Sequence, residues 1–148
     1  MTQALVIGGG PSARVPVGGS APEVPAECYR IGVNHHWLGR WDVDCMVTCD
    51  HRFGEHLARM PDRLELYRGS EVPKLYVGHH ALPGLGPHEV LVRQAGHRGI
   101  SESFEAGIYT GGNSGFAAIQ VAMVLGARQI YLLGFDGAPP PRGTHLEN

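Results

Sequence analysis

The sequence has few charged residues and no long hydrophobic run. Charged side chains make up 18% of its 148 residues, and the formal net charge is −2. This balance provides no broad cationic surface, so we expect no nucleic-acid partner. The longest apolar runs, residues 4–7 and 130–133, are far shorter than the roughly 20 residues that span a bilayer. The N-terminal residues do not have the pattern of a signal peptide, so we predict a cytoplasmic protein with no membrane partner.

Cysteine is also scarce, and several common motifs are missing. Three cysteines cannot all pair with one another, and Cys45 and Cys49 flank a predicted buried strand, so reduced core thiols are favoured over a metal or redox site. No Gly-x-x-x-x-Gly-Lys-Ser/Thr loop occurs, and none of the nine histidines has the spacing of a helical zinc site. Internal repeats and heptads are absent. The length suits one domain over residues 1–148, and self-association is left open.

Short apolar runs separated by Gly, Pro and polar residues predict a series of buried strands. We place them at residues 4–7, 29–33, 43–48, 74–77 and 129–134, with a strand-like insert at 89–93. Residues 15–27 read as an irregular connection, and a weak helical pattern over residues 53–60 is broken by Pro61. No structure is assigned to the rest of residues 78–99.

The clearest unit begins at the glycine-rich turn of residues 111–115. Apolar residues at helical spacing follow from Phe116 to Leu125, Gly126 is a natural helix stop, and the last strand comes directly after it. Strands that alternate with crossovers argue for a parallel sheet with helices on its faces. We therefore predict an α/β fold: a three-layer Rossmann-like domain with a mainly parallel sheet.

In such a sheet, a ligand lies beyond the carboxyl ends of the strands. The residues at the predicted strand ends are small or polar, which favours a ligand site, although turns select the same residue types for backbone reasons. The candidate ligand-binding residues at strand ends are Gly8, Gly9, Gly10, Pro11, Ser12, Asn34 and Gly134. Gly8-x-Gly10-x-x-Ala13 resembles a dinucleotide fingerprint, but Pro11 and Pro16 prevent a long helix there, and Asn34 stands where NAD sites need an acid.

The turn before the long predicted helix is a second candidate for binding phosphate. Asn113 or Ser114 can cap the helix, while Gly112 and Gly115 leave backbone N–H groups open to an anion at the positive end of the helix dipole. An ordinary helix cap is the alternative interpretation of the same residues.

Two carboxylates and one histidine are the candidate catalytic residues. Asp50 and Asp136 follow predicted strands and can hold a magnesium ion that bridges phosphate oxygens, or bind ribose hydroxyls, or serve only as turn residues. His145, on the loop after Asp136, is our first choice for moving a proton, and His51 is the second.

The chain resembles a broad Rossmann-like superfamily. The resemblance lies in the segments Leu-Val-Ile-Gly-Gly-Gly-Pro-Ser (5–12), Ile-Gly-Val-Asn (31–34), the strand that ends at Asp50, and above all residues 113–136. The superfamily includes proteins like the 6-hydroxymethylpterin diphosphokinase MptE, the flagellin-modifying MAF proteins, bacterial sialyltransferases and short phage-encoded members. The phage-type members look closest, since they too carry Thr-His after the last strand, here Thr144 and His145.

The resemblance implies a nucleotide-binding, transferase-like enzyme. In the sialyltransferases the matching turns hold a cytidine nucleotide sugar, which implies ligand contacts for residues 8–12, Asn34, Ser114, Gly115 and Asp136. Gly9 stands where those transferases usually carry Asn. We therefore expect a nucleotide or nucleotide-linked donor as partner, and diphosphate transfer and glycosyl transfer both stay open. The alternative is a non-catalytic ligand-binding or phage assembly protein that keeps the fold.

Overall fold

A computed structural model describes residues 2–14, 23–80 and 88–137. Seven strands form one sheet in the order β6-β5-β4-β3-β2-β1-β7, and every neighbouring pair is parallel. The strands are Gln3–Ile7 (β1), Tyr29–Val33 (β2), Cys45–Thr48 (β3), Lys74–Gly78 (β4), Glu89–Gly96 (β5), Ile108–Tyr109 (β6) and Gln129–Leu133 (β7). The helices are Phe53–Ala58 (α1), Pro61–Gly69 (α2) and Ser114–Val124 (α3), and Pro11–Ala13 forms a single 3-10 turn.

The central strands are rich in apolar residues because both faces of the sheet are covered. Alternate residues of a strand point to opposite faces, so Ala4 and Val6 of β1 pack in one cluster with α3, and Leu5 and Ile7 pack in a second cluster. The second cluster includes Phe53 of α1, together with Tyr67 of α2, Trp37 and Trp41. The molecule therefore has three layers, as the sequence predicts.

The strand order explains why, among the described helices, α3 lies on the opposite face of the sheet from α1 and α2. From β1 to β6 the chain adds each strand on the same side, and the last crossover then returns past them to place β7 beside β1. Crossovers between parallel strands are right-handed, so a connection that runs in the reverse direction must use the opposite face of the sheet. The helix α3 accordingly packs on β1, β2 and β3 as well as β6.

Most of the predicted elements are confirmed, and three details are corrected. Pro61 does not end the helical region but begins α2, because proline has no N–H to lose at the first turn of a helix. The insert at residues 89–93 is the start of β5, which continues to Gly96. The two-residue strand β6 is too short to carry a periodic signal. Gly126 ends α3 as predicted, with a left-handed φ of 95°.

Some of the predictions fall on residues 15–22, 81–87 and 138–148, which lie outside the described residues. Thr144 and His145 are among them, as is most of the predicted irregular connection after β1. Within the described ranges, every helix is too short or too polar to cross a lipid bilayer.

Candidate functional site

Because the strands are parallel, their carboxyl ends meet at one edge of the sheet. In register there, Ile7 of β1 stands beside Gly32 of β2 and Leu133 of β7. The loops after these strands, and the start of α3 after β6, therefore gather above the same edge. Both glycine turns pack against the ring of Phe135. A Cβ atom added at Gly8 would lie 3.1 Å from a carbon of that ring, and a Cβ atom added at Gly115 would lie 2.7 Å from another.

The turn after β1 is closed by the protein's own oxygens. The amide of Gly8 donates to the Leu133 carbonyl at 2.7 Å, and the amide of Gly10 donates to the Gly134 carbonyl at 2.9 Å. Pro11 has no N–H to offer. The backbone at Gly10 also lies too close to Gly134 for a side chain, since a Cβ there would be 2.7 Å from the Gly134 oxygen. Most of this turn binds the chain to itself rather than offering amides to an anion.

Hydrogen bonds of Ser12 connect the carboxyl ends of β1 and β7. The Ser12 amide donates to Asp136 Oδ2 at 2.7 Å, and the Ser12 hydroxyl accepts from the Gly134 amide at 2.8 Å. Hydrogen bonding of the Asp136 carboxyl to the Ser12 side chain, and to the Ser12 amide, lowers the pKa of that carboxyl. Asp136 is exposed, and one of its carboxylate oxygens, Oδ2, is bonded within the protein.

Asn34 and Ser114 belong to one polar network between β2, β3 and α3. Asn34 has a left-handed φ of 54°, and its side-chain oxygen accepts from the Thr48 hydroxyl at 2.8 Å. Ser114 is buried, and its hydroxyl oxygen accepts from the Cys49 amide at 2.9 Å. Both side chains therefore hold the edge together. Within the described chain the amide nitrogen of Asn34 has no partner, so it is the part of that residue left for a ligand.

The start of α3 has two amides without a protein acceptor. The Asn113 side chain caps the helix by accepting from the Phe116 amide at 2.7 Å, as the sequence predicts. The Gly111 and Gly112 amides are taken by the His97 carbonyl and the Thr110 hydroxyl. Among the described residues, the amides of Ser114 and Gly115 donate to nothing, and they stand at the positive end of an eleven-residue helix.

A cavity of about 600 Å³ lies beside this helix start, above the carboxyl ends of β3 to β6. Four of its lining side chains are the exposed histidines His51, His79, His80 and His97. The remaining lining residues are Cys49, Tyr76, Gly78, Gln94, Thr110 and Gly112. Carboxylates, lysines and arginines do not occur among the described lining residues. The cavity therefore combines a mainly apolar lining surface with several polar side-chain groups and no fixed charge.

Burial keeps two of the ionisable groups in this cavity neutral. It raises the pKa of the Cys49 thiol, and the hydrogen bond from Ser114 offsets only part of that increase. Burial also raises the pKa of the Tyr76 hydroxyl. Cys49 is therefore a neutral thiol rather than an activated nucleophile, and Tyr76 presents a neutral phenol.

Asp50 is engaged by its own loop. Its Oδ1 accepts from the Arg52 amide at 2.9 Å, and its Oδ2 lies 3.2 Å from His56 Nδ1. In the described part of the chain, no three His, Cys, Asp or Glu side chains lie close enough together to hold a metal ion. Asp50 and Asp136 are each already bonded to the protein, and a magnesium ion on these two carboxylates stays a prediction.

The sequence predictions thus divide into two groups. Most of the predicted site residues lie along the predicted edge of the sheet. They are the turn at residues 8–12, Asn34, Asp50, the turn at residues 112–115, Gly134 and Asp136. His51 lines the cavity, and His145 lies outside the described residues. Sequence reasoning missed Thr110, His97 and Gln94, because β5 was predicted only over residues 89–93 and β6 was not predicted. It also missed Tyr76, although that residue lies in the predicted strand β4. A Thr-Gly-Gly turn preceding a capped helix was the available signal for Thr110.

Comparison with known proteins adds no relative. No family model matches the chain, and no match is found among curated proteins or among solved structures.

Proposed function

We propose that the chain binds a nucleotide or a nucleotide-linked donor at the carboxyl edge of its sheet and transfers a group from it. The observation that carries this proposal is the pair of unpartnered amides, Ser114 and Gly115, at the start of α3 and beside the 600 Å³ cavity. The proposal agrees with the resemblance to MptE-like, MAF and sialyltransferase-like proteins.

The two features suit different parts of such a ligand. Free amides at a helix N-terminus point toward an anion, and the helix dipole adds to their attraction, so this end would hold a phosphate. A cavity of several hundred Å³ has the size of small-molecule sites. The imidazole, phenol and carboxamide groups of its lining would hold the nucleoside or the transferred group by hydrogen bonds and ring contacts.

The residues of this edge would act mainly by positioning the reactants. The free amide nitrogen of Asn34 would orient the donor, and His51 would move a proton in the part of the site that the structure describes. Transfer of a diphosphate or a glycosyl group can gain most of its rate from orientation and charge stabilisation, so a strong nucleophile is not required.

A non-catalytic binding protein is the second candidate, and one observation favours it. Both carboxylates predicted to be catalytic have structural partners: Asp50 bonds the Arg52 amide and His56, and Asp136 bonds the Ser12 amide. A protein that keeps the fold and the pocket as a ligand-binding or assembly module needs no free carboxylate.

A thermal-shift screen tests nucleotide binding, which both candidate functions require. We would measure Tm with CMP, CDP, UDP, ADP, ATP and GTP, each with and without Mg²⁺. A ligand at 100 times its Kd stabilises the folded state by about 2.7 kcal/mol, which raises Tm by roughly 5–10 °C for a chain of this size. If no nucleotide shifts Tm, a nucleotide site is ruled out. Turnover of the donor that binds then separates the enzyme from the binding protein.

Two substitutions at one position test the role of the helix amides. Ser114→Ala removes the hydroxyl that bonds Cys49, while Ser114→Pro removes the hydroxyl and the amide hydrogen together. Proline is accepted at the first position of a helix, and Asn113 already has the extended ψ of 153° that precedes proline. We expect Ser114→Pro to bind the nucleotide about tenfold more weakly than Ser114→Ala. Equal affinities would show that this amide does not hold the phosphate.

A further inference from the structure

The hydroxyl group of Thr110 stands at the centre of a small hydrogen-bond network in the cavity wall. Thr110 is 1% exposed. Its Oγ1 lies 3.0 Å from His97 Nδ1, 3.4 Å from Gln94 Nε2 and 3.3 Å from the Gly112 amide nitrogen. The loop after β5 and the loop after β6 are joined there, because the Gly111 amide also donates to the His97 carbonyl.

Counting donors and acceptors assigns the proton on His97. A threonine hydroxyl has one hydrogen to donate and two lone pairs to accept with. The Gly112 amide and the Gln94 amide nitrogen can only donate, so together they occupy both lone pairs. The hydroxyl hydrogen is left for His97 Nδ1, which must then accept. In a neutral imidazole the other nitrogen, Nε2, carries the hydrogen.

We propose that Thr110 holds His97 as the Nε2–H tautomer, so that His97 offers a hydrogen-bond donor to a ligand oxygen in the cavity. Thr110 is the positioning residue, and His97 makes the contact. Since Nδ1 is turned toward buried Thr110, Nε2 is the nitrogen that remains for a ligand.

This arrangement narrows the ligand class, and in that respect it rests on the proposed function. Gly112 contacts Thr110 and lies two residues before Ser114, so the donor on His97 and the open amides of α3 flank the same turn. Donors on both sides of one turn suit a ligand with two adjacent phosphoryl groups. The ligand class is therefore a nucleoside diphosphate or a diphosphate-linked donor, with one phosphoryl group on the α3 amides and the other on His97.

The tautomer can be read directly by NMR without any ligand. Long-range ¹H–¹⁵N correlations of the imidazole rings, recorded at about pH 8 where histidines are neutral, distinguish the two tautomers. We expect the Nε2–H form in the wild type and in Thr110→Ser, which keeps a hydroxyl, and a mixture of both forms in Thr110→Val. A wild-type ring in the Nδ1–H form overturns the proposal, and so does an unchanged ring in Thr110→Val. If Thr110→Val does not fold, the wild-type spectrum alone decides.

Inorganic pyrophosphate and inorganic phosphate test the ligand contact by calorimetry, independently of the base. We expect the wild type to bind pyrophosphate at least about tenfold more tightly than phosphate, and His97→Ala to lose about tenfold in affinity for pyrophosphate. His88→Asn is the control: it removes an exposed histidine at the opposite edge of the sheet, and asparagine tolerates the φ of 69° there. We expect it to stay within about twofold of the wild type.

The outcomes separate this inference from the proposed function. If pyrophosphate binds the wild type and His97→Ala equally well, the His97 contact is wrong while the nucleotide site stands. If neither pyrophosphate nor any nucleotide binds the wild type, the ligand contact and the proposed function both fail.

Discussion

A buried histidine outside the cavity predicts how the stability of this protein depends on pH. His35 follows β2, is 8% exposed, and its Nδ1 has no hydrogen-bond partner in the described part of the chain. Its pKa is lowered from 6.5 to about 3, mainly by burial, and the neighbouring charges of His36 and Arg63 contribute in the same direction. The centroids of the His35 and His36 rings are 4.4 Å apart. The folded protein therefore keeps His35 neutral under conditions in which the unfolded chain binds a proton.

The sign and size of the effect follow from this difference in pKa. The contribution of His35 is complete above pH 6.5 and is lost as the pH falls from 6.5 toward 3, because only the unfolded chain takes up the proton in that window. At about pH 5 the loss is about 2 kcal/mol, and at about pH 7.5 it is close to zero. His35→Gln has no imidazole to protonate, so this loss is absent.

Urea unfolding of the wild type and His35→Gln at both pH values measures the effect. We expect the free energy of unfolding of the wild type to fall by about 2 kcal/mol more than that of the variant between about pH 7.5 and pH 5. Each protein is compared with itself, so the packing cost of the substitution cancels. His88→Asn, which removes an exposed histidine, should keep the wild-type dependence. If the wild type and His35→Gln lose the same stability, His35 is not held neutral by burial.

Two further predictions concern the closed turn between β1 and β7. Gly134→Ala should destabilise the fold by more than about 2 kcal/mol, because φ is 80° and the new Cβ would lie 2.6 Å from the Gly8 oxygen. Gly137→Ala, with a φ of 63° and open space around it, should cost only the backbone strain of about 1 kcal/mol in the same unfolding assay. Asp136→Asn should lower Tm at neutral pH, because it weakens the acceptor for the Ser12 amide. The lowered pKa of Asp136 means that its contribution persists above the ordinary carboxyl pKa of 3.8 and disappears as the pH falls through the folded value, so the wild type and variant should converge in acid. A Tm difference that persists unchanged in acid would contradict this assignment.

Local sequence patterns determined most of the sheet. The run at residues 29–33 has the same limits in the structure, and Gly126 ends α3 at the expected place. These features depend on hydrophobic runs and on backbone preferences that a few neighbouring residues decide. The parallel order placed the predicted site residues along one edge, because the carboxyl ends of parallel strands must face the same way. The two residues of β6 are too few to form a periodic pattern. A proline such as Pro61 is favourable at the start of a helix and breaks a helix in its middle, so its local sequence alone does not decide between the two.

The use of each polar group at that edge was decided only by the tertiary structure. Ser12 and Asp136 are 124 positions apart, and their hydrogen bond turns a predicted ligand-binding pair into a lock between two strands. His97 and Thr110 come from different loops, and only their contact reveals which nitrogen can face a ligand. A sequence states which donors and acceptors a residue carries, but hydrogen bonds between distant residues consume some and leave others free. That balance is a property of the folded chain alone.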